Sequence, residues 1–135
     1  MAYKITEIEG IGPAFAEKLA TAGITTTDHL LEQCADAKGR SAVAEKTGVE
    51  ASRLLKWANM ADLMRISGIG GEYSELLEAA GVDTVKELRT RRPDNLAAKM
   101  AEVNEAKKLV RQVPTEAAVT KWVEQAKAMD PKITH

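Results

Sequence analysis

The sequence predicts an all-α protein in which two tandem copies of one helical unit pack into a single compact body. Three observations predict it. First, residues 8–31 and 66–89 agree at ten of 24 positions without a gap, at an offset of 58. Such self-similarity marks a repeated structural unit. Second, apolar residues in both copies return at i, i+4 and i+7, as Phe15, Leu19 and Ala22 and as Tyr73, Leu77 and Ala80, which places them on one helix face. Third, aromatic residues make up only 4% of the chain and alanine is abundant, a mixture that suits close-packed helices better than a β-sandwich. A fainter echo, Lys56-Trp57 and Lys121-Trp122, repeats at the longer offset of 65. The copies therefore divide the chain into units 1–62 and 63–135.

The elements follow in order. A short segment, Ile5–Ile8 in one copy and Leu63–Ile66 in the other, runs into Gly-Ile-Gly. The second glycine opens a helix, and Pro13 suits its first position because the missing N–H would have no partner there. Gly23 and Gly81 end these helices as left-handed caps. Thr26-Thr27-Asp28 and Asp83-Thr84 supply N-cap side chains for further helices through Leu30 and Leu88. A short helix is expected over Ser41–Thr47, closed by Gly48. A longer one covers Glu50–Leu63, with Leu54, Leu55, Ala58 and Ala61 to one side. Pro93 stops the preceding element, and a helix runs from Asp94 to about Val110. Thr115, behind Pro114, caps the last helix, Glu116–Met129. No stretch alternates convincingly, so no sheet is expected.

Charge and composition exclude several classes. The 19 Lys and Arg against 20 Asp and Glu argue against a strongly basic, salt-driven polyanion binder. With 44% apolar residues the chain should fold without metal or disulfide help. One cysteine, Cys34, permits neither an internal disulfide nor a cysteine zinc cage. The first residues lack the apolar segment of a signal peptide, and no run is long enough to cross a bilayer. A soluble, cytoplasmic protein is the expectation. Catalysis is not: His29 and Cys34 stand five apart and share no helix face, and His135 is terminal. No side-chain metal site and no small-molecule substrate is readable.

Gly-Ile-Gly between two helices carries its own chemistry. Glycine permits the dihedrals of so tight a turn, and the isoleucine can point back to staple the pair. The following helix presents free N–H groups, a ready anion site that phosphate can fill. Contact of that kind grips a nucleic-acid backbone without reading bases. The residues Ile8-Glu-Gly-Ile-Gly-Pro-Ala-Phe-Ala-Glu-Lys-Leu, followed by Ala-Gly-Ile-Thr-Thr, resemble the helix-hairpin-helix motif of DNA polymerase beta, bacterial DNA ligase and repair-nuclease subunits. Over nearly its whole length the chain is also similar to a bacterial family of tandem helix-hairpin-helix proteins, a domain of unknown function. Lys56-Trp57 through Gly70, then Ala-Gly-Val-Asp-Thr-Val-Lys-Glu-Leu, and Lys121-Trp122 carry that likeness.

The hairpin resemblance implies phosphate contact by the amides of Gly10, Gly12, Ala14 and Phe15, with Lys18 as the basic residue on the second helix. In the second copy the matching positions are Gly68, Gly70, Glu72 and Tyr73. It also implies a monovalent cation, Na or K, on the carbonyls of Thr6, Ile8 and Ile11; the second copy offers those of Met64, Ile66 and Ile69. Glycosylase relatives place a catalytic lysine just after the glycine pair. Here Pro13-Ala14 and Gly71-Glu72 stand there, so lyase chemistry is not expected.

Some residues depart from the motif. Glu17 occupies a place where DNA-binding relatives carry a basic residue, and Glu9 flanks the first turn. Glu72, Glu75 and Leu76 make the second copy the poorer candidate, since a carboxylate on a first turn can fill the anion site itself. Arg89, Arg91, Arg92, Lys99, Lys107, Lys108 and Arg111 form a stretch of mixed surroundings that reads most simply as a solvated face. Trp57 and Trp122 read as packing residues. Two functions follow: a non-enzymatic, sequence-independent nucleic-acid binder, or a protein–protein adaptor or self-associating scaffold whose hairpins are purely structural.

Overall fold

Each copy of the repeat turns on a glycine that no other residue replaces cheaply. Gly10 and Gly68 both have φ +95°, a region that L-residues with a Cβ avoid. The buried isoleucines between the glycines, Ile11 and Ile69, drop into the core and each turn closes with an amide-to-carbonyl bond, Ile11 to Ile8 and Ile69 to Ile66, both 3.1 Å. Gly12 and Gly70 then cap the helices that follow with extended backbone.

The computed structural model describes residues 3–135, so the first two residues of the expected unit 1–62 lie outside the described residues. Among the described residues a 3-10 turn (Ile5–Glu7) precedes eight helices: α1 (Pro13–Ala20), α2 (Thr27–Cys34), α3 (Ala37–Thr47), α4 (Ala51–Leu63), α5 (Gly71–Ala79), α6 (Val85–Leu88), α7 (Pro93–Lys107) and α8 (Glu116–Lys127). The fold is all-α and compact. Among the described residues there is no strand, only a lone bridge between Lys4 and Thr26.

The threonines do cap as their positions predict. Thr26, Thr84 and Thr115 accept from the amides of His29, Glu87 and Ala118, each cap worth about 1 kcal/mol. Two boundaries differ from expectation by three residues or more, and the last helix ends at Lys127, two residues before Met129. Helix α3 starts at Ala37, not Ser41, because Asp36 accepts from the Gly39 amide at 2.7 Å. Within this helix position 39 admits only glycine, because a Cβ there would fall on the Gln33 carbonyl. Helix α7 ends at Lys107 instead of near Val110. Lys108 takes a left-handed conformation (φ +53°) and its amide bonds back to Asn104. The buried Asn104 side chain then brackets Val110, donating to its carbonyl at 3.0 Å and accepting from its amide at 2.9 Å.

The apolar faces gather into two clusters. One holds Ile8, Ile11, Leu19, Ile24, Leu30, Leu54, Trp57 and Met60 among others. The second holds Ile66, Ile69, Leu76, Leu77, Val85, Leu88, Leu96, Met100 and Trp122. Burying each large side chain of this kind contributes about 1.5–3 kcal/mol. Helix α4 serves both clusters: Trp57 and Ala58 lie in the first and Leu63 in the second. Its own polar residue Asp62 is buried, accepting from Arg65 at 2.7 Å and from the Val85 amide at 2.9 Å, and so ties α4 to the start of α6.

The segment after α8 returns to the first cluster. Ile133 is buried there, the Thr134 amide donates to the Ala35 carbonyl at 2.8 Å, and Arg40 donates to the carbonyls of Cys34, Ala35 and Thr134. A buried guanidinium is expensive unless its donors are used, and here three carbonyls use them.

Candidate functional site

The first glycine turn hands over to α1 with its front uncovered. Gly10, Gly12, Pro13 and Ala14 are exposed. The first internal bond of the helix start is Ala16 to Gly12 at 3.0 Å. The amides of Ala14 and Phe15 precede it and have no helical partner, as the first turn of any α-helix dictates. Phe15 is half-buried. Its ring meets Trp57 edge-on, centroids 5.0 Å apart, and Trp57 stands behind Gly10, its Nε1 3.5 Å from where a Cβ would project. Two cations flank the same ring. Lys18 Nζ lies 5.7 Å from its centroid and the Arg53 guanidinium carbon 5.2 Å, within cation–π range.

Arg53 was invisible to the motif, yet a signal existed. It precedes Trp57 by four residues, one turn up the same helix face. At the offset of 65 that aligns the two tryptophans, its counterpart is Ala118.

The second glycine turn repeats this framework and closes its front. Tyr73 packs on Trp122 at 5.4 Å, and Trp122 Nε1 lies 3.0 Å from a Cβ position on Gly68. The Tyr73 hydroxyl donates to the Gln112 carbonyl at 2.9 Å. Gln112 belongs to the long connection between α7 and α8, which Lys108 and Asn104 set in place. That connection, with Val113 and Pro114, walls the cleft beside Gly68 and Tyr73. The first unit joins α3 to α4 in three residues, Gly48–Glu50.

The two turns also meet each other. Gly71, the match of Pro13, lies so close to the Glu7 carbonyl that a Cβ would overlap it. Glu7 and Glu9 of the first turn line one cleft with Gly70, Gly71 and Glu72. The amides at the start of α5 therefore face carboxylates. The Glu9 carboxyl is held above the ordinary range by partial desolvation and by the Glu75 and Glu72 carboxylates. Of the expected phosphate ligands, the structure groups Gly12, Ala14, Phe15 and Lys18 on an open face. It sets Gly70, Glu72 and Tyr73 in an acidic, half-covered one. Of the carbonyls that would hold a cation, that of Ile8 already accepts from Ile11 and keeps one lone pair.

Elsewhere several chemistry-bearing residues are engaged. The Cys34 thiol is buried, which raises its pKa to about 11 despite the opposing effect of Arg40. His29 Nδ1 accepts from the Thr25 amide at 3.2 Å. In the basic stretch, Arg91 pairs with Glu87 and donates to the Gly81 carbonyl, and Arg92 pairs with Asp94 at 3.0 Å. The Asn95 amide and Arg92 hold the Asp94 carboxyl below its usual range, so the start of α7 carries its own anion. No group of three His, Cys, Asp or Glu side chains able to hold a metal occurs among the described residues. No helix among them is long and apolar enough to cross a membrane.

A family model described as Domain of unknown function (DUF4332) matches residues 9–129, a span that takes in both glycine turns and stops short of the returning tail. No curated protein and no solved structure matches the chain.

Proposed function

The chain belongs to the DUF4332 family, whose description names no activity, and we propose that it is a non-enzymatic binder of nucleic-acid backbone phosphate acting through its first helix-hairpin-helix turn. The observation that carries this reading is the open start of α1. Unpartnered amides at Ala14 and Phe15 adjoin two cations, Lys18 and Arg53, on an exposed face. A helix N-terminus favours an anion, and the guanidinium and ammonium add charge where a second phosphate oxygen would sit. The second turn is a packing element, its amides opposed by Glu7, Glu9 and Glu72. Binding is then single-sited and weak, and it leaves sequence unread. A sodium or potassium ion on the Thr6, Ile8 and Ile11 carbonyls would support the same phosphate.

Fluorescence anisotropy with labelled duplex and single-stranded DNA tests it. Dissociation constants in the roughly 10⁻⁴–10⁻⁶ M range are expected at about 50 mM salt, with a log–log salt slope near −2 on duplex for two cations. Lys18→Glu should weaken binding alike on every sequence and lower the slope by about 1. No binding at about 100 μM protein in that salt rejects the proposal.

The contact between Gly71 and Glu7 favours a second reading, an adaptor or self-associating scaffold in which both turns serve packing alone. A dimer by light scattering, together with absent DNA binding, would select it.

A further inference from the structure

A second feature lies between α4 and the α5–α6 corner, in a cleft of about 230 Å³ lined by Ser52, Leu55, Lys56, Asn59, Glu78 and Asp83. We propose that this cleft binds an alkyl-guanidinium or alkyl-ammonium group. Two acceptors there lack a donor. Asn59 is only 8% exposed, and its Oδ1 is buried without a hydrogen-bond partner. Glu78 Oε2 is in the same condition, and these are the only two such side-chain atoms among the described residues. Native folds leave few buried acceptors unpaired, because each retains the cost of leaving water. One acceptor comes from α4 and one from α5, and both residues line this cleft.

Charge and size select the class of ligand. Glu78 and Asp83 outnumber Lys56, so the cleft favours a cation. Its volume falls below the roughly 300 Å³ at which pockets for drug-sized molecules begin, and suits one head group. A guanidinium offers five donors in a planar fork, enough to reach an amide oxygen and a carboxylate oxygen together. The resident cation does not fill the place. Lys56 Nζ stands 3.9 Å from the other oxygen of Glu78 with its side chain 56% exposed. So long and solvated a pair is weak, and an incoming cation displaces it readily.

The chemistry is shared by a free polyamine-like molecule and by an arginine or lysine side chain of a protein, and the test separates them. The probe is agmatine, titrated into ¹⁵N-labelled full-length protein at constant ionic strength, with sodium chloride as the reference cation. Saturable shifts are expected at the Asn59 side-chain amide and around Glu78, with none from sodium. Glu78→Gln should weaken agmatine about tenfold. Lys56→Ala, an exposed change that leaves the cores alone, should tighten it by removing a competitor. A capped Gly-Arg-Gly peptide that binds as agmatine does assigns the cleft to a protein side chain. A peptide that fails while agmatine binds assigns it to a free cation. Three results overturn the proposal: no saturable shift, the same shift with sodium, or an Asn59 side-chain NH₂ that is protected from exchange and bonded to Glu78. In the last case the amide is turned and supplies the missing donor from within the fold.

Discussion

Replacing Gly71 by alanine sets a local preference against a tertiary contact. At the first turn of a helix, alanine is favoured over glycine by up to about 1 kcal/mol. The backbone at Gly71 is helical, so it presents no conformational barrier. By local rules, then, Gly71→Ala stabilises. The structure reverses the sign. The new Cβ would overlap the Glu7 carbonyl oxygen, with the carbonyl carbon at 3.3 Å and the Glu9 nitrogen at 3.7 Å. These are backbone atoms, held by the Ile5–Glu7 turn, and cannot rotate aside as a side chain would. Overpacking costs about 1–3 kcal/mol, and overlap with fixed backbone belongs in the upper part of that range, about 2–3 kcal/mol, so the net loss is about 1–2 kcal/mol after a gain in propensity of about 1. Urea unfolding followed by circular dichroism measures it, with an unchanged m-value to confirm that the unfolded state is unaffected. Melting should fall by roughly 2–4 °C for each kcal/mol. Pro13→Ala, at the matched position on the open turn, is the control and should stay within about 1 kcal/mol of the parent. A Gly71→Ala protein as stable as the parent, or more so, would show that the two glycine turns do not abut and would remove one of the two reasons for calling the second one closed, leaving the Gln112 connection as the other.

The raised carboxyl of Glu9 means that the folded state holds this proton more tightly than the unfolded chain does, so its contribution favours folding as pH falls through the carboxylate range and opposes it above. Glu9→Gln should therefore stabilise at pH 7 by only a few tenths of a kcal/mol, given solvent screening, with the gain lost in acid or in high salt; a gain that persists at pH 3 refutes the electrostatic account. Ile133→Ala should cost about 2 kcal/mol, the low end for a buried isoleucine because the tail can move to fill the space; an unchanged urea midpoint would show the tail is not part of the first core. The buried Cys34 should resist a thiol reagent in native buffer and react fully in urea, and rapid native labelling would contradict its burial.

Much of the candidate site is legible in the sequence. Gly10, Gly12, Ala14, Phe15 and Lys18 follow from one short motif, and the acidic flanks Glu9, Glu72 and Glu75 marked the second copy as the poorer. Arg53 was not legible from the motif, since it sits on α4 and reaches Phe15 only through packing. The Tyr73–Gln112 bond was equally hidden, for it depends on the path of a connection whose only sequence trace is the lengthened offset between the two tryptophans. Asn59 and Glu78 carry no motif at all; burial alone makes them notable.

By itself the sequence determined most of the helices, the threonine caps and the two glycine turns, because these depend on neighbours within about four residues, where periodicity, capping side chains and left-handed glycines act. Tertiary structure alone decided which turn stays open. The two turns are nearly identical locally, down to a φ of +95° at Gly10 and Gly68. What separates them arrives from far along the chain: the Glu7 backbone against Gly71, the Gln112 carbonyl on Tyr73, and Arg53 beside Phe15. Close packing lets only one group occupy each place, so the path by which distant segments return leaves the first turn's amides uncovered and closes the second turn with the protein's own atoms.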